Sequence, residues 1–218
     1  MSHTVCATFA VALGLVSVAA MAADARPGEP RPLIRVYDAG TDDPSARAAA
    51  MVMSAGLLAE AGIAADWLDC TSGSDESRCQ AVRGPRDLVI RIAPRPLAPV
   101  RPTPDSVSTG ETVTDPDLQL GFATFDSVTR RGVLATIFHD RVLTVAQRAD
   151  LDYRVLLGRA MAHEVGHLLL PARGHSPTGL MRGVWTDAEL MQNRREDWVF
   201  APAERELLRA ASIARPSR

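Results

Sequence analysis

The segment of residues 149–170 constrains the fold more than any other part of this sequence. Its apolar residues recur at helical spacing, and they are Leu156, Leu157, Ala160, Met161, Val165, Leu168 and Leu169. An apolar face this broad predicts a long helix that is buried in the core. Pro171 follows directly, so we expect the helix to end just before it.

The rest of the chain alternates between strand-like and helical segments. Enrichment in β-branched and aromatic residues predicts strands at residues 33–37, 63–70, 87–92, 118–125 and 133–139. Helix-forming composition and capping residues predict helices at residues 45–61, 186–192 and 202–213. Residues 94–118 have no apolar period, and a loop of that length is either functional or disordered. This order of elements predicts an α+β fold, with one domain at residues 33–214.

The N-terminal segment predicts export from the cytoplasm. Residues 1–22 contain no Asp, Glu, Lys or Arg, and they end in Ala20-Met21-Ala22, a small-x-small pattern. We predict a cleaved signal peptide at residues 1–22, a flexible mature N-terminus at 23–32, and a periplasmic or extracellular location. A retained membrane anchor is the alternative, because the apolar run is nearly long enough to span a bilayer.

Cys70 and Cys79 flank a short polar turn. A pair of cysteines around a short loop in an exported chain predicts a structural disulfide. Free thiols and metal ligation are the alternatives, but no further Cys or His lies close enough in the sequence to complete a metal site.

The long helix carries the motif His163-Glu164-Val165-Gly166-His167. Histidines four residues apart lie on one face of a helix, where both imidazoles can bind the same metal ion. Zn²⁺ accepts neutral imidazole ligands well. Glu164 points to the adjacent side, from which it can act as general base on a water that the metal activates. The alternative is a helix without metal, in which the histidines are solvated and Glu164 pairs with Arg159.

A catalytic zinc site usually has three protein ligands and one open position. His175 is the favoured third ligand, because it follows the turn that ends the helix. Glu189 in the next helix and His139 at the end of the preceding strand are the alternatives. Arg182 also lies near the motif in sequence, and we expect it to be exposed.

The motif followed by His175 and then by Gly179-Leu180-Met181 resembles the metzincin metallopeptidases. The resemblance implies His163 and His167, with His175, as the ligands of one zinc ion. It also implies Glu164 as general base and Met181 as the residue of the Met-turn beneath the metal. The third histidine comes two residues later than in the metzincin pattern, which indicates a divergent relative.

The same resemblance extends to the fold. It implies a twisted mixed sheet of four to five strands, a backing helix, an active-site helix and a small helical C-terminal part. In metzincins an edge strand beside the cleft pairs with an extended substrate, and residues 118–125 are the candidate for that strand. The loop at 94–118 is a candidate lid over the cleft.

These features together predict a secreted or periplasmic zinc-dependent metallopeptidase. We expect a peptide or protein substrate, a monomer, and no stable membrane insertion once the signal is removed. A formal net charge of −2 and scattered arginines give no basis for a nucleic-acid partner. The alternatives are a catalytically silent zinc-binding or peptide-binding domain of the same fold, and a zinc hydrolase that acts on a non-peptide bond.

Overall fold

The structure is a computed structural model, and it describes residues 31–41, 43–71, 76–95, 106–108, 119–126, 128–129, 131–170 and 174–215. The signal peptide and nearly all of the mature N-terminus lie outside the described residues. Most of the loop at 94–118 does too, so the signal and the lid stay predictions.

A single mixed sheet organises the described part of the chain, with strand order β2-β1-β3-β6-β5-β4. Its strands are β1 (Leu33–Asp38), β2 (Asp66–Asp69), β3 (Leu88–Ala93), β4 (Ser106–Ser108), β5 (Gly121–Asp126) and β6 (Gly132–Phe138). β2, β1, β3 and β6 run parallel, whereas β5 is antiparallel to both β6 and β4. β1 and β3 read as nearly continuous apolar runs, as is typical of parallel strands that are covered on both faces.

The α+β prediction is confirmed, and the sheet has one strand more than the four to five expected. The additional strand is β4, which has three residues and lies inside the segment for which only a loop was predicted. A strand this short, flanked by Pro, Ser and Thr, leaves no alternating apolar pattern to detect.

The helices in the described residues are α1 (Pro44–Glu60), α2 (Glu76–Gln80), α3 (His139–Arg148), α4 (Tyr153–Leu169), α5 (Asp187–Gln192) and α6 (Pro202–Ala214), with a 3-10 helix at Arg195–Trp198. Of these helices, α3 and α4 contact the sheet. α1 packs along α4, and the two helices approach closely at Gly158. A Cβ atom at that glycine would lie 2.6 Å from the Cβ of Met53 in α1. The expected pair of a backing helix and a buried motif helix is therefore present.

The helix predicted from residue 149 onwards corresponds to α4, which starts only at Tyr153, and a separate helix that was not predicted, α3, precedes it. α3 ends at Arg148, and Asp150 adopts a left-handed conformation with φ of 53°. α4 starts only after Asp152, whose side chain accepts a hydrogen bond from the Arg154 backbone N–H at 2.8 Å. The prediction missed this break because neither Gly nor Pro marks it in the sequence.

Cys70 and Cys79 form the predicted disulfide, with Cα atoms 5.5 Å apart. Arg35 of β1 is buried beside it, and its guanidinium donates to the backbone carbonyl oxygens of Cys79 and Ala81 at 3.0 and 2.9 Å. The same group pairs with the Asp87 carboxylate at 2.9 Å. The disulfide loop is thereby tied to the sheet.

Arg215, which follows α6, is hydrogen-bonded to the centre of the fold. Arg215 is buried and donates to the carbonyl oxygens of Leu168 at the end of α4 and Gly132 at the start of β6, at 3.3 and 2.9 Å. Within the described ranges, no helix combines the length and the apolar character needed to cross a membrane.

Candidate metal centre

α4 runs through the interior, and its residues from Leu156 to Leu169 are all buried. An isolated helix with this composition would expose a wide apolar surface, so its stability comes from tertiary packing on all sides. His163 and His167 therefore sit in the core, 8% and 4% exposed. Burying two polar rings is unfavourable unless their nitrogens find partners, which makes their surroundings informative.

Three imidazole rings converge at one point beside α4. The Nε2 atom of His167 lies 3.0 Å from Nε2 of His163 and 3.2 Å from Nε2 of His175. One ligand nitrogen from each ring falls within 4.8 Å of the others. The structure therefore brings together the three histidines that the sequence favoured.

A hydrogen bond fixes the orientation of His163. Its Nδ1 lies 2.8 Å from the Leu180 carbonyl oxygen, and a carbonyl oxygen only accepts, so Nδ1 carries the proton. In the neutral ring, Nε2 is then unprotonated, and it faces the other two histidines. A backbone carbonyl behind a ligating histidine is the usual second-shell arrangement in metal sites.

Burial keeps these rings neutral. Desolvation lowers the pKa of His163 to about 4, and desolvation with the neighbouring His163 and His175 lowers the pKa of His167 to about 2. Metal ligation requires neutral imidazole. A donor set of three imidazole rings, with their Nε2 atoms close together, therefore fits Zn²⁺, which prefers such ligands.

Glu164 lies next to the histidine cluster, 5% exposed. Its Oε1 faces Gly121 of β5, where a Cβ atom would come within 2.9 Å of it and within 2.7 Å of the Thr136 carbonyl oxygen. Its Oε2 is buried and has no hydrogen-bond partner among the described residues. Desolvation raises the pKa of this carboxyl to about 8. A buried acceptor without a partner is costly in a core and calls for a functional explanation.

The turn after His175 places Met181 beneath the cluster. Gly179 has φ of 76°, which favours glycine, and the Ser176 N–H donates to the Met181 carbonyl oxygen at 2.8 Å. Met181 is 3% exposed. A Cβ atom on Gly166 would lie 2.4 Å from the Met181 sulfur, so the absence of a side chain at Gly166 lets the methionine pack against α4.

The alternative ligands lie elsewhere. Glu189 accepts from the Thr186 backbone N–H at 2.8 Å in the capping box of α5, and it pairs with Arg182. His139 begins α3, and its ring packs against Gly40. Neither belongs to the cluster of ligand nitrogens.

The alternative partner of Glu164 is also placed elsewhere. Arg159 stacks on the Trp198 ring, with its Cζ 3.9 Å from the ring centroid, and it donates to Asn193 at 2.6 Å. The expectation of an exposed Arg182 is wrong. Its side chain is 12% exposed, because the carboxylates of Glu189 and Asp197 hold it against the protein.

A cleft opens over the cluster. Residues 119–123, at the start of β5 and just before it, form one part of its walls. The other parts come from the last turn of α3, from residues 160–167 of α4 and from residues 182–185. Trp185 forms part of the wall and meets the His163 ring edge-on, with centroids 5.6 Å apart. The predicted edge strand is partly covered: β4 pairs with Thr124–Asp126, whereas the described strands leave the cleft-side half of β5, at 121–123, paired only with β6.

Sequence reasoning missed two residues that support the cluster. Glu204 of α6 is 6% exposed, and it accepts hydrogen bonds from the hydroxyl of Ser176 and from the Ala201 backbone N–H, the latter at 2.7 Å. It thereby holds the residue next to His175. Trp185 is the other. The sequence shows a Glu near the start of a predicted helix and a Trp in a polar segment. It does not show which residues these two side chains contact.

Fold and site together define an α+β protein with a three-histidine centre of the kind that zinc occupies. No protein-family model matches the chain, and a comparison with curated proteins finds no match either. Its structure is similar to the crystal structure of archaemetzincin from Methanopyrus kandleri, with a TM-score of 0.49 and 15% sequence identity over 85% of this chain and 97% of that one. At that level of similarity, the chemistry must be argued from this chain's own residues.

Proposed function

We propose that the protein is a zinc-dependent metallopeptidase that binds one zinc ion through His163, His167 and His175. The observation that carries this proposal is the meeting of three Nε2 atoms next to a buried, unpartnered carboxylate in an open cleft. Three protein ligands leave a fourth position of a tetrahedral zinc site free for chemistry.

Glu164 is the general base of the proposed reaction. Lewis acidity for polarising a carbonyl group and activating water comes from the bound zinc. Glu164 accepts the proton of the attacking water and then passes it to the leaving amine nitrogen. Its Oε2 has no hydrogen-bond partner among the described residues and is available for this transfer. The charge of a zinc ion next to this carboxyl would lower its raised pKa and favour the ionised form that a base requires.

An extended peptide is the substrate that the cleft suits best. The cleft-side half of β5 lies in the wall next to Glu164, and its residue Gly121 is immediately beside that carboxylate. A peptide strand added along β5 would bring its backbone carbonyl groups towards the three histidines. The substrate backbone would thus be held by main-chain hydrogen bonds, and its side chains by the remaining walls.

We further propose that the protein acts outside the cytoplasm as a monomer. The disulfide between Cys70 and Cys79 supports this location, since such bonds persist in oxidising compartments. The apolar segment at residues 1–22, which ends in a small-x-small pattern, supports removal of a signal peptide.

A comparison of wild type with Glu164→Ala tests the peptidase proposal. Both proteins are loaded with zinc, their metal content is measured, and each is incubated with casein and with a mixed peptide library that is read by mass spectrometry. We expect equal zinc in both proteins and cleavage by the wild type alone. Zinc binding without cleavage of any peptide by the wild type would contradict the proposal and favour a silent binding domain.

A further inference from the structure

We propose that the cleft selects substrates that present a carboxylate near the scissile bond, and that Arg148 binds this carboxylate. The proposal rests on the proposed peptidase function and names its substrate class. It starts from the charges that line the cleft.

Among the described residues, the cationic side chains of the cleft wall, apart from its histidines, are Arg148 and Arg182. Arg182 is 12% exposed and is held by the carboxylates of Glu189 and Asp197. Because this arginine has two anionic partners and little contact with water, its positive charge is neutralised within the protein. It therefore has a structural role and does not attract a charged substrate.

Arg148 is in a different situation. Its side chain is 48% exposed, and its ion pair joins Asp187, which is 61% exposed, at 2.7 Å. Exposed ion pairs of this kind contribute little to stability, because water screens them and both side chains lose freedom. A carboxylate that enters the cleft can therefore replace Asp187 or share the guanidinium with it, at little cost to the fold.

Arg148 is the last residue of α3, and it lines the same cleft as Glu164 and the three histidines. A substrate that is cleaved at Glu164 therefore lies in the cleft that Arg148 also lines, where its neighbouring residues can meet the guanidinium.

The surroundings of Arg148 suit a side chain with an apolar stem and an anionic end. Val145, Val184 and Trp185 supply apolar wall near it. A guanidinium binds a carboxylate through two parallel hydrogen bonds, which gives geometric selectivity as well as charge. A glutamate side chain and the C-terminal carboxylate of a short peptide share this chemistry.

The test uses matched peptides with the zinc-loaded protein. A peptide that the wild type cleaves is synthesised with Glu or Gln at each of the two positions on either side of the bond, and with a free or amidated C-terminus. We expect the wild type to favour Glu over Gln at one position by about tenfold in kcat/KM. In Arg148→Ala this ratio should fall to about one, and in Asp187→Asn it should rise, because the competing carboxylate is gone.

Arg195→Ala is the matched control. Arg195 also forms an exposed ion pair, with Glu60 at 3.0 Å, but it does not line the cleft, so its Glu-to-Gln ratio should equal that of the wild type. Selectivity that depends on the free C-terminus instead of on Glu assigns Arg148 to the terminal carboxylate. An unchanged preference in Arg148→Ala overturns the proposal.

A binding measurement separates this proposal from the peptidase proposal. Fluorescence of the tryptophans, which include Trp185 in the cleft wall, reports the binding of peptide pairs that differ only in Glu or Gln to zinc-loaded Glu164→Ala, with and without Arg148→Ala. If the wild type cleaves nothing but binding still favours the carboxylate through Arg148, then the peptidase proposal fails and the carboxylate site stands. Equal binding of Glu and Gln peptides, or no binding at all, overturns the carboxylate site.

Discussion

The Nδ1 atom of His163 donates a hydrogen bond to the backbone carbonyl oxygen of Leu180 at 2.8 Å. The bond joins the buried motif helix to the turn that carries Met181, and it leaves the other ring nitrogen free to face His167 and His175. This one hydrogen bond thus determines which ring nitrogen of His163 carries the proton. It also fixes the turn that carries Met181 relative to α4.

The metal-free protein should lose stability in acid. The pKa of His163 and His167 is lowered in the folded state, to about 4 and about 2, because the rings are buried. Below a pH of about 6.5 the unfolded chain binds protons that the folded chain does not. Each histidine lowers the free energy of unfolding by about 1.4 kcal/mol per pH unit, whereas Glu164, whose pKa is raised to about 8, is protonated only in the folded chain over this window and offsets one of them. The net fall should therefore be about 1.4 kcal/mol per pH unit.

Urea denaturation of the EDTA-treated protein, at several pH values between 7.5 and 5, measures this effect. His167→Leu removes one of the two histidines, so that Glu164 offsets the other, and the slope below pH 6.5 should fall to near zero. A free energy of unfolding that is independent of pH in this window would contradict the buried, neutral state of the rings.

Gly132→Ala should destabilise the protein. A Cβ atom at this position would lie 2.4 Å from the Cα and the carbonyl oxygen of Leu168, and backbone atoms of a buried helix cannot move away easily. We expect a loss of about 2–3 kcal/mol in the free energy of unfolding. Denaturant titration measures the loss.

Gly56→Ala is the matched control for that change. It makes the same substitution in α1, where an added Cβ would meet nothing within 4 Å. Because alanine favours a helix interior, this variant should be more stable than the wild type by up to about 1 kcal/mol. Equal effects of the two substitutions would contradict the close packing of β6 on α4.

Gly121→Ala should reduce cleavage without removing zinc. The added methyl group would come within 2.9 Å of Glu164 Oε1, and the Thr136 carbonyl oxygen at 2.7 Å prevents it from turning away. A displaced general base should lower kcat by about tenfold or more, while the three ligands stay in place. Kinetics and zinc content of the same preparation test this expectation, with Gly56→Ala as the control. A full rate in Gly121→Ala would remove Glu164 from its proposed position.

Glu204→Ala should weaken zinc binding from a distance. Glu204 holds Ser176, which follows His175 in the chain, and its loss frees the third ligand from α6. Outer-sphere partners of this kind typically change metal affinity by about 10- to 100-fold. Competition with a zinc chelator measures the change. Glu206→Ala, an exposed position on the same helix, should leave zinc affinity unaltered, and Glu204→Gln should restore part of the loss. Equal affinities of Glu204→Ala and Glu206→Ala would contradict the positioning role.

The sequence predicted most of the elements and the composition of the site, for identifiable reasons. The broad apolar face of α4 and the spacing of His163 and His167 are local properties, because helix geometry alone places the two rings together. The capping box at Thr186 and Glu189 is local in the same way, and the structure contains it.

What the sequence could not decide depends on contacts between distant segments. His175, Glu189 and His139 were all possible third ligands. In the structure His175 packs against Gly183, and the next residue, Ser176, donates to the Met181 carbonyl oxygen, which are contacts that the sequence does not reveal. α3 escaped prediction although Val142, Val145 and Ala146 are buried at helical spacing. Its exposed face is strongly polar, and the left-handed Asp150 that separates it from α4 leaves no mark in the sequence.

The most direct test of the central claim is the zinc stoichiometry of the purified, refilled protein, measured together with X-ray absorption at the zinc edge. We predict one zinc ion per chain with three imidazole nitrogens at about 2.0–2.1 Å. His175→Ala should lose one of these nitrogens, and His139→Ala should lose none. A chain that takes up no zinc, or a zinc environment that His175→Ala leaves unchanged, would contradict the account.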